Sequence, residues 1–279
     1  MTRPFGIHAH CFGRLPVAEL ARQAGDAGFT SVQLALDKAL SDLDCTAGRL
    51  SPGLGSYIAE TFQRQGVRIA VLECGIDPIH PDPDVRRQGV KRFKEHLKFC
   101  RDFGCSVVAT ETGRLNTYCQ EFPDDYEKKA WGILRHSLYE LAEEAERWGV
   151  IVGIEPSIPF VIQRAEDMRR MLDEVVSTTL GVVLDPCSLL DTDNAGRQDE
   201  IVREAFDLLS DRVVAFHAKD ALLRSDSLLT PTALGEGDVN VPLFLQLAQE
   251  RKPYTDIILE CLEGEQIGRS LEYGRQQWG

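Results

Sequence analysis

The chain has 279 residues, 43% of them hydrophobic, and its 44 acidic against 31 basic side chains leave a formal charge of −13. That length suits one α/β barrel or two small domains, and with no Pro/Ser/Gly-rich linker or low-complexity tract to divide it, a single domain over 1–279 is expected. Acidic stretches such as ELAEEAER (140–147) with no basic stripe argue against nucleic acid as a partner, no apolar run approaches a membrane span, and eight cysteines without C-x-x-C spacing fit reduced thiols in a cytoplasm.

In chain order, FGIHAH (5–10) reads as a first strand with no apolar leader before it. LPVAELARQAGDAG (15–28) has helical periodicity and stops at Gly28, and SVQLAL (31–36) is strand two. A helix over 52–66 follows, with Ser51 as N-cap and Pro52 at its first position. VRIAVLE (67–73), a long amphipathic helix over 84–104, CSVVATE (105–111) and a helix near 124–149 complete the first half. Four further apolar runs, VIVGIE (150–155), TLGVVLD (179–185), RVVAFH (212–217) and DIILE (256–260), alternate with helices near 165–176, 198–210 and 241–251 and one beginning around Gly264. Eight strands each followed by a helix demand parallel crossovers, and a (β/α)8 barrel is the natural closure. Cys105 and Cys261 fall inside these patterns and are expected to be buried.

Each of the last four runs ends on a polar residue: Glu155, Asp185, His217 and Glu260, separated by 30, 32 and 43 residues, about one βα unit each. In a parallel barrel these ends meet at one mouth, where such barrels carry their chemistry. Gly153, Gly181, Val183, Val213, Ala215 and Ile258 share the face of these four residues and are mostly small enough for a barrel interior. Three carboxylates and one imidazole form a hard, oxygen-rich donor set suited to one divalent ion, Mn2+ or Mg2+ first, then Zn2+ or Co2+. Such an ion polarises a carbonyl and its neighbouring hydroxyl, so a proton alpha to the carbonyl becomes removable near neutral pH.

Glu73 and Glu111 end strands three and four on the same side, His10 ends the first run, and Lys219 stands two residues after His217, so all four are candidate substrate contacts. His8, deeper in the first run, reads as structural, and GEGDV (235–239) as a turn.

The segments IVGIEPS, LGVVLDPCS, VVAFHAKD and LGEGDVNVPLFLQLAQERKPYTDIILECLEG, with DPDVRRQGVKRFKEHLKFCRDFGCSVVATETG (82–113), resemble the sugar isomerase/epimerase superfamily, the xylose-isomerase-like TIM barrels. The resemblance implies that Glu155, Asp185, His217 and Glu260 bind the metal and that Glu155 and Glu260 serve as acid and base. It further implies a small sugar or cyclitol as substrate, sugar metabolism as the setting and self-association into a homo-oligomer as a family habit. Lys219 and Asp220 match a Lys-Asp pair frequent after the metal His. Ketose 3-epimerases of this type carry a second His three residues after the metal Asp and an Arg six after the metal His. Here those positions are Ser188 and Leu223, with Arg224 one residue out of register, which argues against a free-ketose epimerase. The family's endonuclease branch needs more His and Asp ligands than six histidines supply. An isomerase or epimerase is therefore expected, with a dehydratase of the inosose or dehydroshikimate type as the alternative use of the same site.

Overall fold

The computed structural model describes residues 5–115, 126–222 and 230–279. Its centre is a closed ring of parallel strands: β1 (Phe5–His8), β2 (Ser31–Ala35), β3 (Arg68–Glu73), β4 (Val107–Glu111), β5 (Ile151–Glu155), β6 (Leu180–Leu184), β7 (Val213–Ala218) and β10 (Ile257–Leu259). Around the ring the order is β1-β10-β7-β6-β5-β4-β3-β2, so β1 and β10 close the barrel, Phe5 to Ile7 pairing with Ile257 to Leu259. The helices cover the outside: α1 (Val17–Asp26), the single turn α2 (Leu36–Ala39), α3 (Pro52–Gln63), α4 (Pro83–Phe99), α5 (Tyr126–Trp148), α6 (Ala165–Val175), α7 (Gln198–Leu209), α8 (Val241–Arg251) and α9 (Glu265–Trp278). A two-stranded antiparallel hairpin, β8 (Asp220–Leu222) with β9 (Thr230–Thr232), projects after β7.

The eight-stranded barrel is the fold the alternation predicts. Ser51 caps α3 by accepting from the Leu54 amide, with Pro52 in the first turn as expected. Asp82 and Asn240 cap α4 and α8 in the same way, accepting from the Asp84 and Leu243 amides. Positions 124 and 125 of the expected fourth helix lie outside the described residues. No described helix is long and apolar enough to cross a membrane.

The main core lies between strands and helices, and a smaller cluster of Val71, Val107, Ala109, Val183 and Ala215 fills the inside of the ring. Gly153 and Gly181 face each other in register on β5 and β6, and a Cβ on Gly153 would stand 3.0 Å from Val183. The expected interior place of Val213 does not hold. The register between β6 and β7 shifts at Val182/Val183, so Val213 joins the outer core while Val214 reaches Gly181 on the inside.

Two further expectations need correction. β1 ends at His8 rather than His10, because Ala9–Phe12 tightens into a 3-10 turn that closes on Gly13 at φ 89°. Cys105 is buried as expected, but Cys261 is exposed: it falls one residue past Glu260, at φ 57°, on the rim of the mouth.

Candidate metal centre

Glu155 is the last residue of β5, Asp185 and Glu260 directly follow β6 and β10, and His217 is the penultimate residue of β7. The ring brings all four to one end. His217 Nδ1 stands 3.1 Å from Glu155 Oε2 and 3.4 Å from Glu260 Oε2. One oxygen each of Glu155, Asp185 and Glu260 lie within 4.8 Å of one another. Asp185 is held by the Cys187 amide donating to Oδ1 at 2.8 Å, the local turn that Pro186 begins.

Lys219 is turned into this cluster. Its ammonium lies 2.8 Å from Asp185 Oδ2, 2.6 Å from Glu260 Oε1 and 2.8 Å from Ser188 Oγ. The Ser188 hydroxyl, accepting from Lys219, has one proton to share between Glu155 Oε1 at 2.9 Å and Asp185 Oδ2 at 3.2 Å. Lys219 therefore braces the carboxylates of Asp185 and Glu260 and does not line the cavity, where sequence reasoning expects it to face substrate.

The tautomer of His217 is set from the other side. Its Nε2 lies 2.9 Å from Gln33 Oε1, while Gln33 Nε2 points to Glu73 Oε2 at 3.4 Å, so the Gln33 oxygen accepts and Nε2 carries the proton. Nδ1 is thereby presented to the carboxylates. It is buried and makes no hydrogen bond among the described residues, although the carboxylate oxygens of Glu155 and Glu260 stand 3.1 and 3.4 Å away. A buried imidazole nitrogen without a hydrogen bond, facing two of three clustered carboxylates, is a donor set that fits a divalent ion.

The local charges express the same crowding. Burial pulls His217 down, but Glu155 and Glu260 outweigh it and carry the imidazole up to about 9. Burial alone would raise Glu260; Lys219 and His217 hold it well below the usual carboxylate range. Lys219, opposed by burial, is kept charged by Asp185 and Glu260. Asp185 is pushed up by burial and pulled back by Lys219; both its oxygens accept hydrogen bonds, the arrangement of an ionised carboxylate.

Above the cluster opens a cavity of about 850 Å³, with Glu155, His217 and Glu260 at its floor and His10, Glu73 and Glu111 on its walls. His8, read from sequence as structural, belongs to the floor: its Nε2 is 3.5 Å from Glu260 Oε2 and 3.4 Å from His217 Nε2. Burial and the neighbouring His217 lower His8 to about 4, and burial lowers His10, so both rings are neutral near pH 7. Burial and Glu155 raise Glu111 to about 7. Sequence reasoning also misses Gln33 and Lys38. A polar residue at the centre of SVQLAL was a usable signal for Gln33; Lys38, which pairs with Glu73 Oε1 at 2.5 Å, offered none. Leu223 and Arg224 lie outside the described residues.

Asp220, the neighbour of Lys219, faces away and has a structural task. It is fully buried, and its two oxygens accept from the amides of Ala221, Gly235, Gly237 and Val239 at 2.8–3.1 Å. GEGDV is thus a loop gathered around a carboxylate, and a Cβ on Gly237 would stand 2.2 Å from Asp220 Oδ1.

The family described as xylose isomerase-like TIM barrel matches residues 21–277. A comparison with curated proteins by sequence finds no match. Among solved structures, the chain superposes on a D-tagatose 3-epimerase-like protein with a TM-score of 0.77 and 19% identity, covering 99% of this chain and 97% of that one. A 3-keto-D-glucoside 4-epimerase from E. coli, in its apo form, gives 0.77 and 15% over 99% and 100%. A xylose isomerase-like TIM barrel protein from Mycobacterium smegmatis, in complex with magnesium, gives 0.71 and 16% over 99% and 97%. At these identities the likeness is one of fold.

Proposed function

Because this chain belongs to the xylose isomerase-like TIM barrel family, we propose that it is a divalent-metal-dependent isomerase or epimerase of a small sugar or other polyhydroxy carbonyl compound. Glu155, Asp185, His217 and Glu260 hold the ion, Mn2+ or Mg2+ before Zn2+ or Co2+. The observation that carries this reading is the unpartnered Nδ1 of His217, aimed at Glu155 and Glu260 by the bond from Nε2 to Gln33. Epimerases of sugars and a magnesium complex among the similar folds support it.

When bound, the ion supplies Lewis-acid polarisation of the carbonyl and the adjacent hydroxyl. Glu155 and Glu260 come from β5 and β10, which β6 and β7 separate around the ring, so they reach a substrate from two sides. One carboxylate takes the proton from the alpha carbon, and the other returns a proton to the opposite face or to the neighbouring carbon. Lys219 keeps Glu260 ionised and fixed at 2.6 Å, and Ser188 steadies Glu155. The cavity of about 850 Å³ admits a monosaccharide or cyclitol and draws it down onto these side chains, with His10, Glu73 and Glu111 along its walls. Free thiols at the seven described cysteines fit a reducing cytoplasm as the setting.

The test combines metal content with isotope exchange. Purified protein, stripped with chelator and reloaded with Mn2+, should retain the ion in the wild type and release it in Glu155→Gln and His217→Ala. Ketoses and inososes incubated in D2O should gain deuterium at the alpha carbon without a new ultraviolet chromophore. A chromophore from an enone or enol would transfer the site to the dehydratase reading; wild-type protein that retains no metal would end both.

A further inference from the structure

We propose that His8, His10 and Glu73 form a second metal site beside the four-residue centre, one that takes a borderline divalent ion such as Zn2+, Co2+ or Ni2+. One ligating atom from each of the three lies within 4.8 Å of the others. The chain produces this from two elements. β1 stops at His8, and the turn over Ala9–Phe12 swings His10 up beside it, so the rings meet edge to face with centroids 5.0 Å apart. Glu73 ends β3 and presents Oε2 to His8 Nδ1 at 3.6 Å.

Two features separate this cluster from ordinary buried polar packing. His10 Nδ1 is buried and has no hydrogen-bond partner among the described residues, the kind of orphan that native interiors rarely tolerate. Glu73 is held from behind: Lys38 takes Oε1 at 2.5 Å, and Gln33 Nε2 approaches Oε2 at 3.4 Å, leaving Oε2 with a free lone pair toward the histidines. All three residues line the cavity, so an ion there keeps open positions facing a ligand. Two imidazoles and one carboxylate favour zinc-like ions over the magnesium-like ions that the carboxylate-rich centre prefers.

The two sites share a wall without sharing a donor atom. The His8 ring stands between them, with Nδ1 toward Glu73 and Nε2 toward His217 and Glu260. The proposal therefore does not depend on the isomerase reading.

Cobalt tests it directly. Wild-type protein stripped by chelation, loaded with Co2+ and freed of excess should carry two ions per chain by elemental analysis. His10→Ala and Glu73→Gln, altered on different elements, should each carry one, while His217→Ala keeps the ion that His10 holds. Circular dichroism of the stripped proteins establishes that each variant is folded before loading. Wild-type protein with a single ion whose loss follows His217 alone would overturn the second site and leave the first standing. Folded His10→Ala and Glu73→Gln that both keep the wild-type count would overturn it as well.

Discussion

Gln33 decides which nitrogen of His217 faces the carboxylates, since its side-chain oxygen accepts from Nε2 while its amide is committed to Glu73. Replacing it with leucine keeps the volume and removes that direction. Gln33→Leu should weaken Mn2+ binding about 10- to 100-fold, as losses behind a metal-bound histidine do, measured by competition with a chromophoric chelator. Asp220 tests a different dependence, because four backbone amides converge on its carboxylate. In Asp220→Asn one of the two acceptors becomes a donor and leaves buried amides unmatched, so urea unfolding should show a loss of about 1–3 kcal/mol. The residues at strand ends were legible because Glu155, Asp185, His217 and Glu260 each interrupt an apolar run where it stops. His8 was not, because FGIHAH reads as one strand running on to His10 and so hides the strand end at His8, and Gln33 lies inside a strand, where a polar residue reads equally as core or rim. Lys219 was legible as part of the site, but its direction came from contacts with Asp185 and Glu260 that no local pattern encodes.

At the level of elements, periodicity located all eight barrel strands and the long helices, since each strand is a short apolar run between amphipathic helical segments. What it could not locate were departures from period two. The register shift between β6 and β7 turns Val213 outward, and the hairpin β8–β9 rests on pairing between residues that are separated in sequence by more than a turn. Close packing between strands makes a clear case at Gly6, where a Cβ would meet Ser31 Oγ at 2.5 Å and Ile258 Cδ1 at 2.7 Å. Gly6→Ala should destabilise the protein by about 1–3 kcal/mol, the usual cost of overpacking, read from the denaturant midpoint at unchanged slope. The end of α6 offers the opposite change. Val176 sits at φ 54° and ψ 47° with 83% of its surface exposed, a left-handed conformation that a β-branched residue adopts at a cost and with little packing to lose. Val176→Gly should raise stability by about 0.5–1 kcal/mol, visible as a higher melting temperature.

Over the whole molecule, the net charge of −13 and the carboxylates of Glu73, Glu155, Glu260 and Glu263 around one cavity create a negative funnel above the site. Cations are drawn in by such a field and salt screens it beyond about 10 Å at 0.1 M. The association rate of Mn2+ with stripped protein should therefore fall several-fold between about 0.02 and 0.5 M salt in stopped flow, with a much smaller change in the dissociation rate. The far end of the barrel is tied by a different set of contacts: Ser31 and Arg68 converge on Asp256, Trp278 of α9 packs edge to face on Phe5, and Arg275 donates to the Gly28 carbonyl. Closure and chemistry thus occupy opposite ends of the same strands.

The gathering of four amides around Asp220 also bears on how such a barrel changes over generations. Both ends of the excursion after β7 are riveted, one by the hairpin and the other by Asp220 through Gly235, Gly237 and Val239. The Asp220 anchor uses none of the side chains that Lys219 contacts, which are Asp185, Glu260 and Ser188. Pro231 of β9 lines the cavity on this doubly anchored excursion, so substitutions along Thr230–Thr232 are open to drift and selection at little mechanical cost to the centre, which makes this strand a natural place to rewrite what the mouth accepts.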